Sequence, residues 1–300
     1  MTVDKRRVLI TGGDGFTGYY VARELVLRGW EVWKAGLRPT NIERQYIYLD
    51  LLKKKSFSAI NDIVRPNAVV HLAAASFVDY KDPDIYYRTN LIGTKLLLDT
   101  LLKCSVRPQH TILASSAAVY GNNGPEALSE GSTLCPANDY GVSKLATEFL
   151  AHTYSDELVI TITRPFNYTG VGQSDKFLVP KIVKHFREKS PRIPLGNLEV
   201  SRDFSDVRDI AKYYADILEA APHRKVINLC SGRCYRLTEV LNICRELSGQ
   251  NPKIATEPTL MRASDITTLR GDRHVLNGLA AKCEIIPLEK TLAWMLSKET

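Results

Sequence analysis

The sequence predicts an α/β fold, a doubly wound parallel sheet followed by a smaller mixed α/β lobe. Three observations predict it. Short apolar runs alternate with segments of helical periodicity through the first 165 residues, the pattern of consecutive βαβ units. A glycine-rich turn, Gly12-Gly-Asp-Gly15-Phe-Thr-Gly18, stands between the first such run and the first helix. After residue 165 the texture changes, and short elements are broken at Gly170, Gly172, Pro180, Pro191, Pro194 and Gly196.

Taken in order, Val8–Thr11 reads as the first strand. Tyr19–Arg28 reads as a helix, with Val21, Leu25 and Val26 on one face and Gly29 just past its end. Glu31–Leu37 is a second strand and Ala68–Ala73 a buried one. Asn90–Lys103 is a long helix, Gln109–Ser115 a strand, Tyr140–Tyr154 a helix and Val159–Arg164 a strand. The expected division is a dinucleotide-binding half over 1–165 and a lobe over 166–300, interleaved with the sheet.

Bulk properties exclude several classes. At 300 residues, 44% hydrophobic and 24% charged, the chain is globular rather than disordered. No apolar run approaches the roughly 18 residues of a membrane span. The start, Met1-Thr-Val-Asp-Lys-Arg-Arg, leads into a strand and the glycine turn and not into the apolar core of a signal peptide. A cytoplasmic location is expected. Cys104, Cys135, Cys230, Cys234, Cys244 and Cys283 are scattered, and Cys230 and Cys234 have no second pair to complete a metal site. They read as thiols in a reducing compartment. The net charge is +7, but Lys and Arg are spread along the chain and form no nucleic-acid stripe. Ligands carrying a diphosphate suit this charge better.

The glycine spacing is G-x-x-G-x-x-G. Glycines there allow a tight turn and a close approach of backbone to a pyrophosphate at the helix N-terminus. Between a strand and a helix, this predicts a Rossmann nicotinamide-dinucleotide site. The end of the second strand, Lys34-Ala-Gly-Leu-Arg38, offers no acid for a ribose hydroxyl. Arg38 suits a 2′-phosphate, so NADP is expected, with NAD as the alternative. Asp50 and Leu51, after the third strand, are placed to read the adenine.

Tyr140-Gly-Val-Ser-Lys144 opens a helix, and residues four apart share a face. A lysine ammonium there is expected to lower the tyrosine pKa from about 10 toward neutrality. The phenol then gives its proton to a carbonyl oxygen that receives hydride. Ser115-Ser116-Ala-Ala118-Val-Tyr120-Gly121 ends a strand, and a hydroxyl there orients the same oxygen.

These motifs, with His71-Leu72-Ala73-Ala74, Asn90-Leu-Ile-Gly-Thr and Arg164-Pro-Phe-Asn167, occur in an order that resembles the extended short-chain dehydrogenase/reductases acting on nucleotide-sugars. The resemblance implies Ser116, Tyr140 and Lys144 as the catalytic set. It implies Gly12, Gly15, Phe16, Thr17, Gly18, Leu72, Ala73, Ala74 and Asn90 around the cofactor, with Tyr140 and Lys144 also touching it. Asn167 is an implied substrate contact, and His71 a structural strand residue.

Pro194-Leu-Gly-Asn197-Leu-Glu-Val-Ser-Arg202-Asp-Phe-Ser-Asp206-Val-Arg208-Asp209 resembles a segment of the GDP-mannose 4,6-dehydratases and the related GDP-4-keto-6-deoxy-mannose reductases. Asn228-Leu-Cys-Ser-Gly232, Arg262-Ala-Ser-Asp265 and Gly271-Asp272 continue the likeness to the reductases. Lys181, Asn197, Arg202 and Arg262 are then nucleotide or diphosphate contacts, and Ser76 faces the sugar. Related dehydratases keep an acid two positions after the strand-end Ser or Thr, where this chain has Ala118. A methyl group transfers no proton. Ala75, where the family has Gln, is a further departure and leaves the fit of the sugar open.

The expected reaction is reduction of the C4 ketone of a GDP-4-keto-6-deoxy-hexose by NADPH, for surface polysaccharide such as lipopolysaccharide. The product is GDP-D-rhamnose or GDP-6-deoxy-D-talose. The alternatives are a C4 epimerase or 4,6-dehydratase with tightly held NAD, a reductase of a UDP-linked, dTDP-linked or heptose 4-keto sugar, and a dinucleotide-sensing protein without catalysis. Helices Asn90–Lys103 and Tyr140–Tyr154 carry apolar residues on more than one face. The resemblance implies a homodimer through a four-helix bundle.

Overall fold

A run of Val8, Leu9 and Ile10, each fully buried, places the first strand, β1 (Arg7–Thr11), in the middle of a sheet covered on both faces. A computed structural model describes residues 6–38, 44–76, 82–260, 266–280 and 284–297. After β1 come α1 (Phe16–Leu27), β2 (Glu31–Gly36), β3 (Tyr46–Tyr48) and β4 (Ala68–His71). A helical stretch follows, made of α2 (Asp84–Tyr86), a π-helical turn (Tyr87–Ile92) and α3 (Gly93–Leu102). Then come β5 (His110–Ala114), α4 (Asp139–His152), β6 (Ile160–Pro165) and β7 (Asn167–Thr169). The rest of the chain forms α5 (Leu178–Arg187), β8 (Arg192–Leu195), β9 (Ser201–Asp206), α6 (Val207–Ala220) and β10 (Lys225–Leu229). It closes with β11 (Cys234–Arg236), α7 (Leu237–Ser248), β12 (Lys253–Thr256), β13 (Thr268–Leu269), α8 (His274–Leu279) and α9 (Leu288–Ser297).

Among the described residues, seven strands make one parallel sheet in the order β3-β2-β1-β4-β5-β6-β10. The order reverses between β1 and β4, the crevice where such sheets take ligands. One face is covered by α1, α6 and α8, with Val21, Leu25, Tyr213, Ile217 and Leu276 in that core. The other is covered by α3 and α4, with Leu97, Leu98, Leu101 and Ala151 inside. Each such leucine contributes roughly 1.5–3 kcal/mol by leaving water. β10 comes from the C-terminal half and pairs with β6, so the chain returns to the sheet after residue 165.

The second layer is smaller. β9 carries β11, β13 and β7 as neighbours, and β8 pairs β12. Val179, Phe186, Val240, Leu241 and Leu292, from α5, α7 and α9, form its core. No described helix is long and apolar enough to cross a membrane.

Several elements differ from their expected bounds: α1 starts at Phe16 where Tyr19 is expected, β4 stops at His71 where Ala73 is expected, and one helix departs most. The helix expected from Asn90 begins at Asp84. Residues 84–89 carry two tyrosines, Ile85 and Thr89, weak helix formers by themselves. Tertiary contacts decide the matter: Tyr86 is buried edge-on against Tyr140, and the Tyr87 hydroxyl donates to Asp139 at 2.7 Å.

Candidate active site

The glycine turn is built for close approach. Gly12 has φ +68, and a Cβ there would stand 2.8 Å from the Ala73 nitrogen. A Cβ on Gly18 would collide with the Gly12 carbonyl oxygen. Gly15 is the N-cap of α1 and gives no side-chain cap, so first-turn N–H groups stay available to an anion. This bare cradle fits a dinucleotide pyrophosphate. Leu72, Ala73 and Ala74 lie half-buried beyond β4, with Ala73 N donating to Thr11 Oγ1 at 3.3 Å. Phe16 and Thr17 turn their side chains toward β7. The Phe16 ring stacks on Tyr168 at 6.1 Å, and Thr17 Oγ1 lies 2.7 Å from the Tyr168 hydroxyl.

The end of β2 holds an acid that its own sequence lacks. Asp14, from the glycine turn, folds onto it: Tyr46 donates to Asp14 Oδ2 at 2.7 Å, and Arg38 Nε lies 3.6 Å from the same oxygen. Any Cβ on Gly36 would stand 2.7 Å from Asp14 Oδ2, so the glycine makes room for the carboxylate. Burial and the Asp14 bond push the Tyr46 phenol up to about 12. Arg38 is exposed and faces this cluster. Asp50 accepts from Tyr48 at 3.3 Å and from Leu52 N at 3.0 Å, and buried Leu51 fills the space above Gly93.

Asn90 lies inside the fold. Its side chain is 1% exposed and is spent inside the protein. The amide accepts from Ala75 N at 2.8 Å and donates to Ala75 O at 3.1 Å and to Ser143 Oγ at 3.0 Å. It ties the segment after β4 to α4.

Ser116, Tyr140 and Lys144 converge at the C-terminal end of β5. Asn138 caps α4 by accepting from Gly141 N at 2.9 Å, which starts the helix one residue before Tyr140. Ser116 caps a short turn, accepting from Ala118 N at 3.1 Å, and its hydroxyl also bonds the Tyr140 phenol. Lys144 is 6% exposed and donates to Ala114 O at 2.7 Å.

The expected acidification of Tyr140 is not found. Burial pushes its phenol up to about 12, the Ser116 bond opposes this, and Tyr168 and Tyr86 add to the rise. The cost falls on the lysine too, which burial pulls down to about 8 against the nearby Glu148 charge. Desolvation is the largest cause for both groups. Tyr140 is thus protonated at neutral pH, the state a proton donor needs.

His71 lies in β4, buried, with Nδ1 2.6 Å from Thr11 Oγ1 and Nε2 2.9 Å from Thr94 Oγ1. Burial, then the Lys144 charge, lower its pKa to about 3, so it is neutral. Ala118 is half-buried on the turn below Tyr140.

The expected substrate contacts are spread over the second layer. Asn167 is exposed in β7, and Lys181 is half-buried in the first turn of α5. Asn197 accepts from Glu199 N at 2.9 Å and so shapes its own loop. Arg202, in β9, donates to Ser201 O at 2.9 Å. Next to it, buried Asp203 accepts from Ser231 N at 2.8 Å, Gly232 N at 2.9 Å and Gly271 N at 3.3 Å, drawing these loops together. Ser76 is exposed. Arg262 and Cys283 lie outside the described residues. Asp14, Tyr168 and Glu148 were not singled out from the sequence. Asp14 alone had a signal, as the one charged residue inside the glycine turn.

Comparison with known proteins fits this geometry. A model of the NAD dependent epimerase/dehydratase family matches residues 8–230. A GDP-6-deoxy-D-talose 4-dehydrogenase from Aggregatibacter actinomycetemcomitans is 34% identical over 89% of this chain and 88% of its own. A GDP-6-deoxy-D-mannose reductase from Pseudomonas aeruginosa is 29% identical over 97% of this chain and 96% of its own. The structure of RMD from Pseudomonas aeruginosa complexed with NADPH is 26% identical, with a TM-score of 0.86 over 98% of both chains.

Proposed function

The chain belongs to the NAD dependent epimerase/dehydratase family, and on that premise we propose that it reduces the C4 ketone of a GDP-4-keto-6-deoxy-hexose, with NADPH as the preferred cofactor. The observation that carries this reading is the Ser116–Tyr140 hydrogen bond beside buried Lys144, with a methyl group at Ala118 where dehydration needs an acid. The relatives named for GDP-6-deoxy sugars support the base and the C4 position.

When bound, the nicotinamide supplies the hydride. Ser116 holds the ketone oxygen, and Tyr140, protonated at neutral pH, donates its phenolic proton to O4 as the alkoxide forms. Lys144, on the same face of α4, stabilises the phenolate left behind. The uncapped start of α1 receives the pyrophosphate. In this reading residues 1–165 serve the cofactor, and 166–300 mainly the nucleotide-sugar through Asn167, Lys181, Asn197, Arg202 and Arg262. Exposed Ile92, Val142 and Phe149, on the outer side of the π-turn and α4, form the apolar stripe for a homodimer.

The test is incubation with GDP-mannose, a 4,6-dehydratase and NADPH, with the product sugar identified by NMR. Consumption of NADPH and formation of GDP-6-deoxy-D-talose or GDP-D-rhamnose is expected. C4 interconversion without net cofactor use would replace this reading with an epimerase. Turnover only with UDP- or dTDP-linked 4-keto sugars would overturn the base. Sedimentation at micromolar concentration checks the dimer.

A further inference from the structure

Beneath the candidate catalytic residues lies a buried ion pair that the proposed reaction does not use. Glu148 stands one helical turn after Lys144 on α4 and two turns after Tyr140. Arg164, from β6, grips it with both prongs: Nε donates to Glu148 Oε1 at 2.9 Å and Nη2 to Oε2 at 2.6 Å. The two side chains are only 4% and 5% exposed. Ser115 Oγ, at the end of β5, donates to Glu148 Oε1 at 2.5 Å. Ser115 is the residue before Ser116, and the residue after Ala114, whose carbonyl receives the Lys144 ammonium at 2.7 Å. The far side of Arg164 donates to the Tyr120 hydroxyl at 3.0 Å and to Glu130 O at 3.1 Å. The carboxylate therefore touches the strand end that bears Ser116 and the carbonyl that holds Lys144.

Burying such a pair is costly, and it is often replaceable by apolar residues without loss of stability. Its place against Lys144 gives it another use. We propose that Glu148 is a positioning residue of the active site: its charge keeps Lys144 protonated, Arg164 sets how much of that charge Lys144 feels, and Ser115 carries the same carboxylate's hold to the strand end beneath Ser116. This rests on the reading of Ser116, Tyr140 and Lys144 given above.

The surroundings allow the effect to be isolated. From β4, Lys144 is faced by His71, which burial and Lys144 hold near 3 and which stays neutral through the working range. From its own helix it is faced by Glu148, with Tyr140 one turn earlier, and behind Glu148, from β6, stands Arg164. Tyr140 in turn is faced by Tyr86, Tyr168 and Tyr214, and burial pushes the phenols of Tyr168 and Tyr214 above their ordinary value. Burial depresses the Lys144 ammonium to about 8, and the Glu148 charge acts upward. For Arg164, burial acts downward and the Glu148 bonds and charge hold it above its ordinary value, so it does not titrate.

A clamp that merely joins α4 to β6 and a device that sets the Lys144 charge make different predictions. Glu148→Gln keeps the shape and removes the negative charge; Arg164→Met removes the positive one. The experiment follows the Lys144 side-chain resonance by NMR in the full-length, ligand-free chain labelled on lysine, assigned by its loss in Lys144→Met. With charges about 6 Å apart in a partly polar interior, the midpoint should move by about one on the pH scale. It should fall in Glu148→Gln and rise in Arg164→Met, and the alkaline limb of kcat should move with it, while KM for the sugar changes less. A clamp alone would lower the melting temperature in both and leave both midpoints near that of the wild type. Midpoints that stay put, or move the same way, overturn the proposal. If either single variant does not fold, Glu148→Gln/Arg164→Gln and Ser115→Ala replace it: the double variant should lie on the low side of the wild type, and Ser115→Ala should lower kcat with the midpoint unmoved. A midpoint unmoved in the double variant overturns the proposal. Failure of the wild type to turn over the 4-keto sugar would sink the assigned reaction, and the titration would still decide the role of the pair.

Discussion

Replacing Asp14 by Asn should move cofactor preference toward NADPH by roughly tenfold. The carboxylate lies 3.6 Å from Arg38 Nε and accepts from Tyr46 at 2.7 Å. Arg38 is well exposed, so the ion pair itself contributes under about 1 kcal/mol. What matters is a third charge. A 2′-phosphate gripped by Arg38 must come within about 6 Å of Asp14, where two unit charges repel by roughly 0.7 kcal/mol in water and about 3 kcal/mol at a protein surface. Screening by salt trims the upper figure, leaving about 1–2 kcal/mol, or roughly five- to thirtyfold in affinity. NADH has a hydroxyl there, which Asn accepts less strongly than Asp, a loss that shifts the ratio in the same direction. The assay is titration of the ligand-free protein with NADPH and NADH, following nicotinamide fluorescence at two ionic strengths. The ratio of dissociation constants should shift toward NADPH in Asp14→Asn, less so at high salt, and toward NADH in Arg38→Ala. A ratio unchanged within twofold in Asp14→Asn, or equal losses for both cofactors in Arg38→Ala, would refute the reasoning.

Further outcomes follow from the same geometry. Tyr140→Phe removes the proposed acid and should lower kcat by about 10²–10⁴, with NADPH affinity within twofold of wild type by the same fluorescence titration. Lys144 is depressed in the fold, from 10.5 to about 8. Its charge therefore costs stability below pH 8, and the cost is relieved as pH rises toward the unfolded value. The full displacement corresponds to roughly 3 kcal/mol. Lys144→Met escapes this cost and loses the bond to Ala114 O, about 1–3 kcal/mol. At pH 7 it should melt at or above the wild-type temperature while inactive, and the wild type should gain on it between pH 8 and 10; a pH-independent deficit in calorimetry would contradict this. Asn90→Ala leaves the Ala75 N–H and carbonyl without their partner, and should cost about 2–4 kcal/mol in urea unfolding.

Much of the site was legible along the chain because its logic is local. The glycine turn works through steric limits on neighbouring residues and the free N–H groups of the helix that follows, and both are written in G-x-x-G-x-x-G. Tyr140 and Lys144 share one face of α4 because four residues make about one helical turn. Ser116 joins them because strand ends in a parallel sheet share one edge. The alternation of strands and helices determined the sheet for the same reason: periodicity is a property of adjacent residues.

What the tertiary structure decided was the environment of those groups. The acid missing from the end of β2 arrives from Asp14, in a different turn. Thr17 and Tyr168 meet across 151 residues, Asn90 and Ala75 across 15, and Glu148 and Arg164 across the gap between α4 and the sheet. Most of all, spacing alone promised an acidic tyrosine, whereas burial raised Tyr140 and lowered Lys144. A pKa answers to water lost and to every charge nearby, and those are contributed by atoms from six or more elements of the fold.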